Sequence, residues 1–505
     1  MELEFHEERL RFLAQTRCGR LCQELTAEMT VPETMPEIAR VVDCFGTVTV
    51  QNRSVDSGSV SVGGGIQAGV LYVPEGAEGE LQRIDVYLPF TATRKLPAPE
   101  GSVLFCRAWL RSVEARFINA RKVLVRANLC SELKLLSPSE WAMHRLDRAP
   151  AGLECRQNVY PMRLPVCTAE KELQIADELL MPETCVAADS LLKWTADAVI
   201  TDSKVVGDKA VFKGELRLRV LCRDEAGSVG AWAGAVPFSQ YAELSCEPGE
   251  AAELQVTPLL RHAEVDTDGQ IDSRRLLLNV TLGAQITVTA PVPVTLTEDA
   301  YYLGGHFAPE WETRTMEPLL DRQSATAELA LDLPQEAEKL IDWTLLPDSP
   351  AEARGASELE SAVWVNLLYR DGSGALQGQI QRCTARTGCS GAADSVTECA
   401  VVDAGGSEMR EGRLRLNLQA DCETWGQMNC RNLCGGTAEP GPTGDRPSLI
   451  VRRGSGQLWE LAKENGSTVA ALRAANGLDA DALEEERLLL IPTGQAARAA
   501  KEEEG

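Results

Sequence analysis

No stretch of the 505-residue chain reaches 18 uninterrupted apolar residues, which excludes a membrane-spanning helix. The first residues, Met1 to Leu13, carry Glu2, Glu4, Glu7 and Glu8 and lack both a basic n-region and an apolar h-region. A secretory signal is therefore not expected, and a cytosolic location is. Positive charge is scarce: 50 basic against 75 acidic side chains leave a net charge of −25. Such a surface is repelled by phosphate, so nucleic acid and anionic membrane are poor partners. Aromatic residues make up only 5% of the chain, and the four histidines (His6, His144, His262, His306) stand apart from one another. No phosphate-binding loop, nucleophile elbow or zinc-protease motif is present. The Gly63-Gly64-Gly65 run precedes a strand rather than opening a helix, so it reads as a turn or bulge. The expectation is a protein that is not an enzyme and carries no cofactor and no metal.

Sixteen cysteines occur without a single Cys-x-x-Cys pair. Two groups invite a metal test, Cys18 with Cys22 and Cys422 with Cys430 and Cys434, but neither supplies the four ligands of a structural zinc. In a leaderless chain the expectation is mostly free thiols packed as small hydrophobes.

What is present in abundance is self-similarity. Three segments align: Ala27–Glu33, Gly63–Gly79, the strand ending at Phe90 and Arg121–Leu136; then Lys171–Glu183, Gly214–Gly227, the strand ending at Phe238 and Arg274–Val288; then Ala327–Glu336, Ser361–Gly374, Gln379–Ala385 and Gly412–Trp425. Pro32 to Tyr72 and Pro182 to Cys222 both span 40 residues, and Pro334 to Tyr369 spans 35. Between copies, Tyr72, Cys222 and Tyr369 lie 150 and 147 residues apart. A repeat of this size is a whole domain, so the chain divides into three related modules.

Within each copy apolar and polar residues alternate, as in Leu216, Leu218 and Val220 against Arg217 and Arg219, or Leu414, Leu416 and Leu418 against Arg413, Arg415 and Asn417. A period of two places one set in a core and the other in water. Turn signals at Glu225–Gly227 and Asp371–Gly374 put the marked strand into a hairpin. The fold class expected is mainly β: three tandem sandwich-like modules and a small C-terminal βααβ domain. Residues 1–22, with Leu10, Leu13, Ala14, Cys18, Leu21 and Cys22 at three- and four-residue spacing, are expected to form a helix. Modules then occupy 23–137, 166–298 and 299–434, with a linker at 138–165, a Gly/Pro linker at 435–447 and a charged tail at 494–505. Pro182–Trp194 and Gln335–Trp343 could each hold a short helix.

Residues 448–493 change to a helical period, with Leu458, Leu461 and Ala462 on one face and Val469, Leu472 and Ala475 on another. Ser467 or Thr468 serves as N-cap, and Gly477 ends the second helix. Short apolar runs, Leu449–Val451 and Leu488–Ile491, flank them. In order, Ile450-Val451, Gly454, Leu458-Trp459, Leu461–Lys463, Ser467–Val469, Leu472, Asn476–Leu478 and Leu489–Pro492 resemble a LysM domain. That resemblance implies a binding site for a glycan or a protein partner at Gly454, Ser455, Gly456, Gln457, Leu458, Trp459, Asn476, Leu478, Asp479 and Ile491. The loop before the last strand departs from the family: Glu484-Glu485-Glu486-Arg487 sets three carboxylates where a sugar would have to displace their water. Trp459 is expected either to pack beneath the module or to face a partner.

The Ala27–Glu33, Gly63–Pro74, Leu173–Glu183 and Gly214–Arg223 motifs, followed by a LysM-like module, resemble the SPOCS-domain proteins of endospore-forming Firmicutes. The resemblance implies work in the mother-cell cytosol at the forespore surface, in spore coat assembly, with the LysM-like domain binding a coat morphogenetic ATPase. The alternative it leaves open is binding of peptidoglycan or cortex glycan.

Overall fold

The computed structural model describes residues 3–77, 79–146, 149–182, 190–223, 227–267, 274–348, 351–354, 358–391, 393–410, 412–441 and 448–493. Period-two patterning dominates: the described chain forms twenty-four strands and two eight-residue helices.

The first module holds β1 (Phe5–Thr30), β2 (Ile38–Asp56), β3 (Ser59–Pro74), β4 (Gln82–Lys95), β5 (Val103–Asn119) and β6 (Lys122–Leu146). They form two antiparallel sheets, β1-β6-β5 and β2-β3-β4. Leu104, Leu110, Val125 and Leu129 of the first sheet share one buried cluster with Ile66, Val70, Tyr72 and Phe90 of the second. The second module repeats the plan with β7 (Leu153–Leu180), β8 (Ser190–Val206), β9 (Lys209–Arg223), β10 (Val229–Glu243), β11 (Glu253–Thr267) and β12 (Arg275–Tyr302), paired as β7-β12-β11 and β8-β9-β10. The third breaks the long outer strands. It contains β13 (Gly305–Met316), β14 (Leu319–Asp332), β15 (Ala337–Pro347), β16 (Ala351–Arg354), β17 (Glu358–Asp371), β18 (Leu376–Ser390), β19 (Ser395–Asp403), β20 (Glu408–Arg410), β21 (Arg413–Gly426) and β22 (Met428–Pro440). Its sheets are β14-β21-β19-β16, with β20 beside β21, and β15-β17-β18, while β13 pairs with β22. The marked residues Tyr72, Cys222 and Tyr369 lie buried on the middle strand of the corresponding sheet in each module.

The segment expected to be an N-terminal helix is instead extended from Phe5 onward. β1 pairs with β6 from Phe5↔Leu146 to Thr30↔Lys122, interrupted by an irregularity at Arg17/Arg20. This ladder satisfies the backbone without helical bonds, so the three- and four-residue apolar spacing is overridden by tertiary pairing. Leu10 and Cys18 enter two different cores. Residues 138–165 are not a passive linker either, because β6 runs on to Leu146 and β7 begins at Leu153. Over Gln335–Trp343 the chain turns and enters β15 without a helix. Within Pro182–Trp194, residues 183–189 lie outside the described chain, and β8 starts at Ser190. Residues 435–440 belong to β22, and residues 442–447 and 494–505 lie outside the described chain.

The modules close around a common axis. In β2 the register shifts between Val41 and Asp43, in β8 between Leu191 and Lys193, and in β15 between Leu340 and Asp342. Asp43, Lys193 and Asp342 therefore occupy the same place after the same irregularity, opposite Leu71, Leu221 and Leu368. All three side chains meet: Lys193 Nζ is 2.8 Å from Asp43 Oδ2 and 2.9 Å from Asp342 Oδ2. Val42, Leu71, Leu192, Leu221, Ile341 and Leu368 surround the meeting point in one apolar cluster. The three modules thus meet as a pseudo-threefold ring around a buried ionic centre.

Beyond the modules, the long strands continue as three two-stranded ribbons, from β1 with β6, β7 with β12, and β13 with β22. Leu10, Trp141, Met162, Val294, Met316 and Cys430 of the three ribbons bury one another. His144 N–H donates to Glu312 Oε1 at 3.0 Å, and Asn432 Nδ2 to the His144 carbonyl at 2.8 Å, binding ribbon to ribbon.

Candidate functional site

After residue 447 the chain forms β23 (Leu449–Gln457), α1 (Leu458–Asn465), α2 (Val469–Asn476) and β24 (Ala482–Pro492), with β23 antiparallel to β24. Thr468, not Ser467, caps α2: its Oγ1 accepts the Ala471 N–H at 3.0 Å. Gly466 and Gly477 close the two helices at φ 64° and 59°, the left-handed conformation that glycine adopts most easily.

The unit is seated on the end of the second ribbon. Tyr301 and Leu303 are buried together with Leu458, Leu461, Leu472, Leu489 and Ile491. Tyr301 Oη donates to the Ser467 carbonyl at 2.8 Å, and its ring meets Trp459 edge-on at 5.0 Å. The Trp459 indole N–H donates to Asp299 Oδ2 at 2.8 Å, while Lys463 Nζ lies 2.8 Å from both Asp299 oxygens. Arg156 lies over the Trp459 ring at 5.5 Å and reaches Glu460 at 3.2 Å. Burial by itself would raise the Asp299 carboxyl, but the bonds from Lys463 and Trp459 outweigh it and hold it below the ordinary carboxylate range. Burial, with Glu154 and Asp299 nearby, pushes the Tyr301 hydroxyl up, so it stays a neutral donor.

This seating sorts the sequence-selected residues. Leu458 and Ile491 are core, each fully buried. Gly454 is a packing glycine: a Cβ there would lie 3.1 Å from Leu461 and 3.2 Å from Leu489. Trp459, half-buried, is engaged by Asp299 and Tyr301. Asn476 holds β24, accepting the Leu490 N–H at 2.8 Å and donating to its carbonyl at 2.7 Å. Leu478 packs partly buried against the same core. Ser455, Gly456, Gln457 and Asp479 remain exposed, and pairing of Gly456 with Leu483 and Gln457 with Ala482 sets the first loop against the last. Glu484, Glu485 and Glu486 are exposed beside the register shift at Gly454/Gly456.

The cysteines regroup. Cys422 joins Cys399 in a disulfide within the third module's core, whereas Cys430 lies in the ribbon core. Cys22 bonds Cys130 across β1 and β6 instead of grouping with Cys18. Outside these two disulfides, Cys18, Cys44, Cys106, Cys167, Cys389 and Cys430 are buried thiols.

A second concavity lies where the modules meet, a cavity of about 620 Å³ with walls from all three, including Thr47, Arg107, Asp197, Arg217, Trp343 and Asp403. Arg217 and Arg219, which alternation assigns to water, are half-buried here: Arg219 Nε lies 2.5 Å from Asp342 Oδ1, and its guanidinium stacks 4.2 Å above Trp343. Asp197 lines this space and keeps part of its surface in solvent. Burial, reinforced by Asp403 and opposed by Arg217, pushes its pKa up to about 6. Nothing in the sequence patterning flags Asp299, Tyr301 or Arg156. The axial triad was within reach, because Asp43 and Lys193 are 150 residues apart and Lys193 and Asp342 are 149 apart, the repeat distance itself.

No curated protein and no solved structure matches the chain. Residues 187–268, which run from the start of β8 to the end of β11 in the second module, match the family model described as SipL, SPOCS domain.

Proposed function

We propose that this is a non-enzymatic assembly protein of the spore envelope, in which three SPOCS-like, sandwich-type modules form a rigid body and a LysM-like unit presents a docking surface for a coat morphogenetic protein of the ATPase type. The observation that carries the reading is the SPOCS-domain match to the second module, whose two-sheet plan and axial residue recur in the first and third. That match supports a sporulation role, and the resemblance of the whole arrangement supports the coat partner and the mother-cell location. The seat on Asp299 and Tyr301 changes how the unit works. It is held at the end of the ribbons, so its docking surface has a fixed direction relative to the body, and the partner-facing residues are the exposed Ser455, Gly456, Gln457 and Asp479.

The competing reading is glycan binding by the same loops, supported by the βααβ order of the unit and the adjacency of its first and last loops. Binding of the full chain to purified coat morphogenetic ATPase and, in parallel, to purified peptidoglycan decides between them. Retention on the ATPase that is lost in Gln457→Ala/Asp479→Ala, with none on peptidoglycan, is the expected result. Saturable retention on peptidoglycan alone overturns the proposal.

A further inference from the structure

We propose that Cys389, Cys399 and Cys422 form a thiol–disulfide exchange site in the third module, through which one disulfide passes between two strands of one sheet and the facing sheet. Cys399 and Cys422 stand opposite each other on β19 and β21, with Cα atoms 4.1 Å apart, and are joined. Cys389 comes from β18, the edge strand of the other sheet, and is a free thiol. The three sulfurs all lie within 4.8 Å of one another. Among the described residues no other group of three cysteine, histidine or carboxylate ligand atoms converges so closely. The side chains are 1%, 0% and 1% exposed, so a solvent thiol is kept out of the folded core and, among the described residues, the thiol within reach of the bond is Cys389.

The chemistry needs no external oxidant. Cys389 loses its proton and its thiolate attacks Cys399 Sγ; the Cys389–Cys399 bond forms as the Cys399–Cys422 bond breaks. The electron pair leaves on Cys422 Sγ, which takes up a proton, and attack on Cys422 Sγ releases Cys399 in the same way. Oxidation state is conserved throughout. Burial pushes the Cys389 thiol up, with Asp421 and Asp321 adding to it and the Thr387 hydroxyl opposing, so the attacking thiolate is a minor form and exchange is slow. In one form the disulfide staples neighbouring strands that the ladder already joins. In the other it ties the two sheets together across the core, which closes a contact no backbone hydrogen bond supplies. The disulfide of the first module, Cys22–Cys130, has no such third thiol among the described residues and is the internal control.

The test uses the full chain, incubated in a glutathione redox buffer, quenched in acid, alkylated and mapped for linked peptides by mass spectrometry. Peptides joining Cys389 to Cys399 or Cys422 are expected beside the Cys399–Cys422 peptide. In Cys422→Ser, refolded from the reduced chain with oxidised glutathione as the oxidant while the core is still open, the Cys389–Cys399 bond is expected to replace the original one, with loss of Cys389 alkylation, whereas in Cys130→Ser the Cys22 thiol remains alkylatable. If the wild-type chain shows Cys399–Cys422 alone at every time, with Cys389 fully alkylated after denaturation, the proposal is overturned. A folded Cys422→Ser chain with both remaining thiols free overturns it too, and should that variant fail to fold, the wild-type map decides.

Discussion

Lys193 and Asp342 meet 2.9 Å apart at the centre of the ring, each at most 2% exposed, although they come from different modules and lie 149 residues apart in the chain. Three copies of one module would bring three identical side chains to this point. Two carboxylates and one ammonium, with Arg219 completing the charge, make the closure specific to modules in this order. Burial opposes the charged forms, but the partners prevail: Lys193 is held above the ordinary lysine range and Asp342 below the ordinary carboxylate range.

Replacing Lys193 by Met leaves Asp43 and Asp342 buried without their shared cation. The loss expected is about 3–5 kcal/mol, read by denaturant unfolding of the full chain. Replacing Asp43, Lys193 and Asp342 together by apolar residues should recover most of it, because no uncompensated charge then remains. Equal damage in both variants would show that the site acts by packing alone.

The pH dependence of this centre has a definite sign. The Asp342 carboxyl, lowered on folding, contributes stability that is present above its unfolded pKa and is lost as pH falls through the folded value. Lys193, raised on folding, contributes stability that is complete below its unfolded pKa and lost as pH rises through the folded one. The ring should therefore hold across neutral pH and open at both extremes, and the acid limb should shrink in the triple apolar variant when unfolding is followed against pH.

Asp197 behaves oppositely. Its folded pKa of about 6 lies above that of an unfolded aspartate, so ionising it in the cavity costs stability as pH rises from about 4 to 6. Asp197→Asn should raise stability at pH 7 by about 1 kcal/mol, a figure reduced for solvent in the cavity, and have little effect at pH 4. A thermal melt at the two pH values separates these outcomes.

Trp459→Ala removes the edge contact to Tyr301 and the bond to Asp299. The C-terminal unit should then lose its seat at a cost of about 3 kcal/mol, seen as faster proteolysis between residues 441 and 448 with the modules intact. Asp299→Asn, which keeps the shape but weakens the bonds from Trp459 and Lys463, should give a smaller effect in the same assay. Cleavage rates unchanged in both would mean that the seat is held by Leu303 and the apolar contacts alone.

Gly454→Val tests packing of the same unit from within. The added side chain meets Leu461 and Leu489 at once, and overpacking of this kind costs about 1–3 kcal/mol. Loss of helical ellipticity at lower temperature than in wild type is the expected readout.

The residues by themselves determined the period-two strands and the βααβ order, because alternation and capping chemistry act over a few residues and survive any tertiary arrangement. They misread Met1 to Cys22, where apolar spacing suited a helix but the 26-residue β1 found a complete ladder on β6. The tertiary structure decided what the local pattern cannot encode, namely which distant faces meet. It turned the second faces of β8, β9 and β15 inward, so that Lys193, Arg219 and Asp342 became a centre rather than a solvated surface. It committed Trp459 to Asp299 and Tyr301, and it drew Cys389 to Cys399 and Cys422 while leaving Cys430 in another core. Each of these depends on contacts between residues far apart in the chain, whose geometry is fixed by packing of whole sheets and not by any window of sequence.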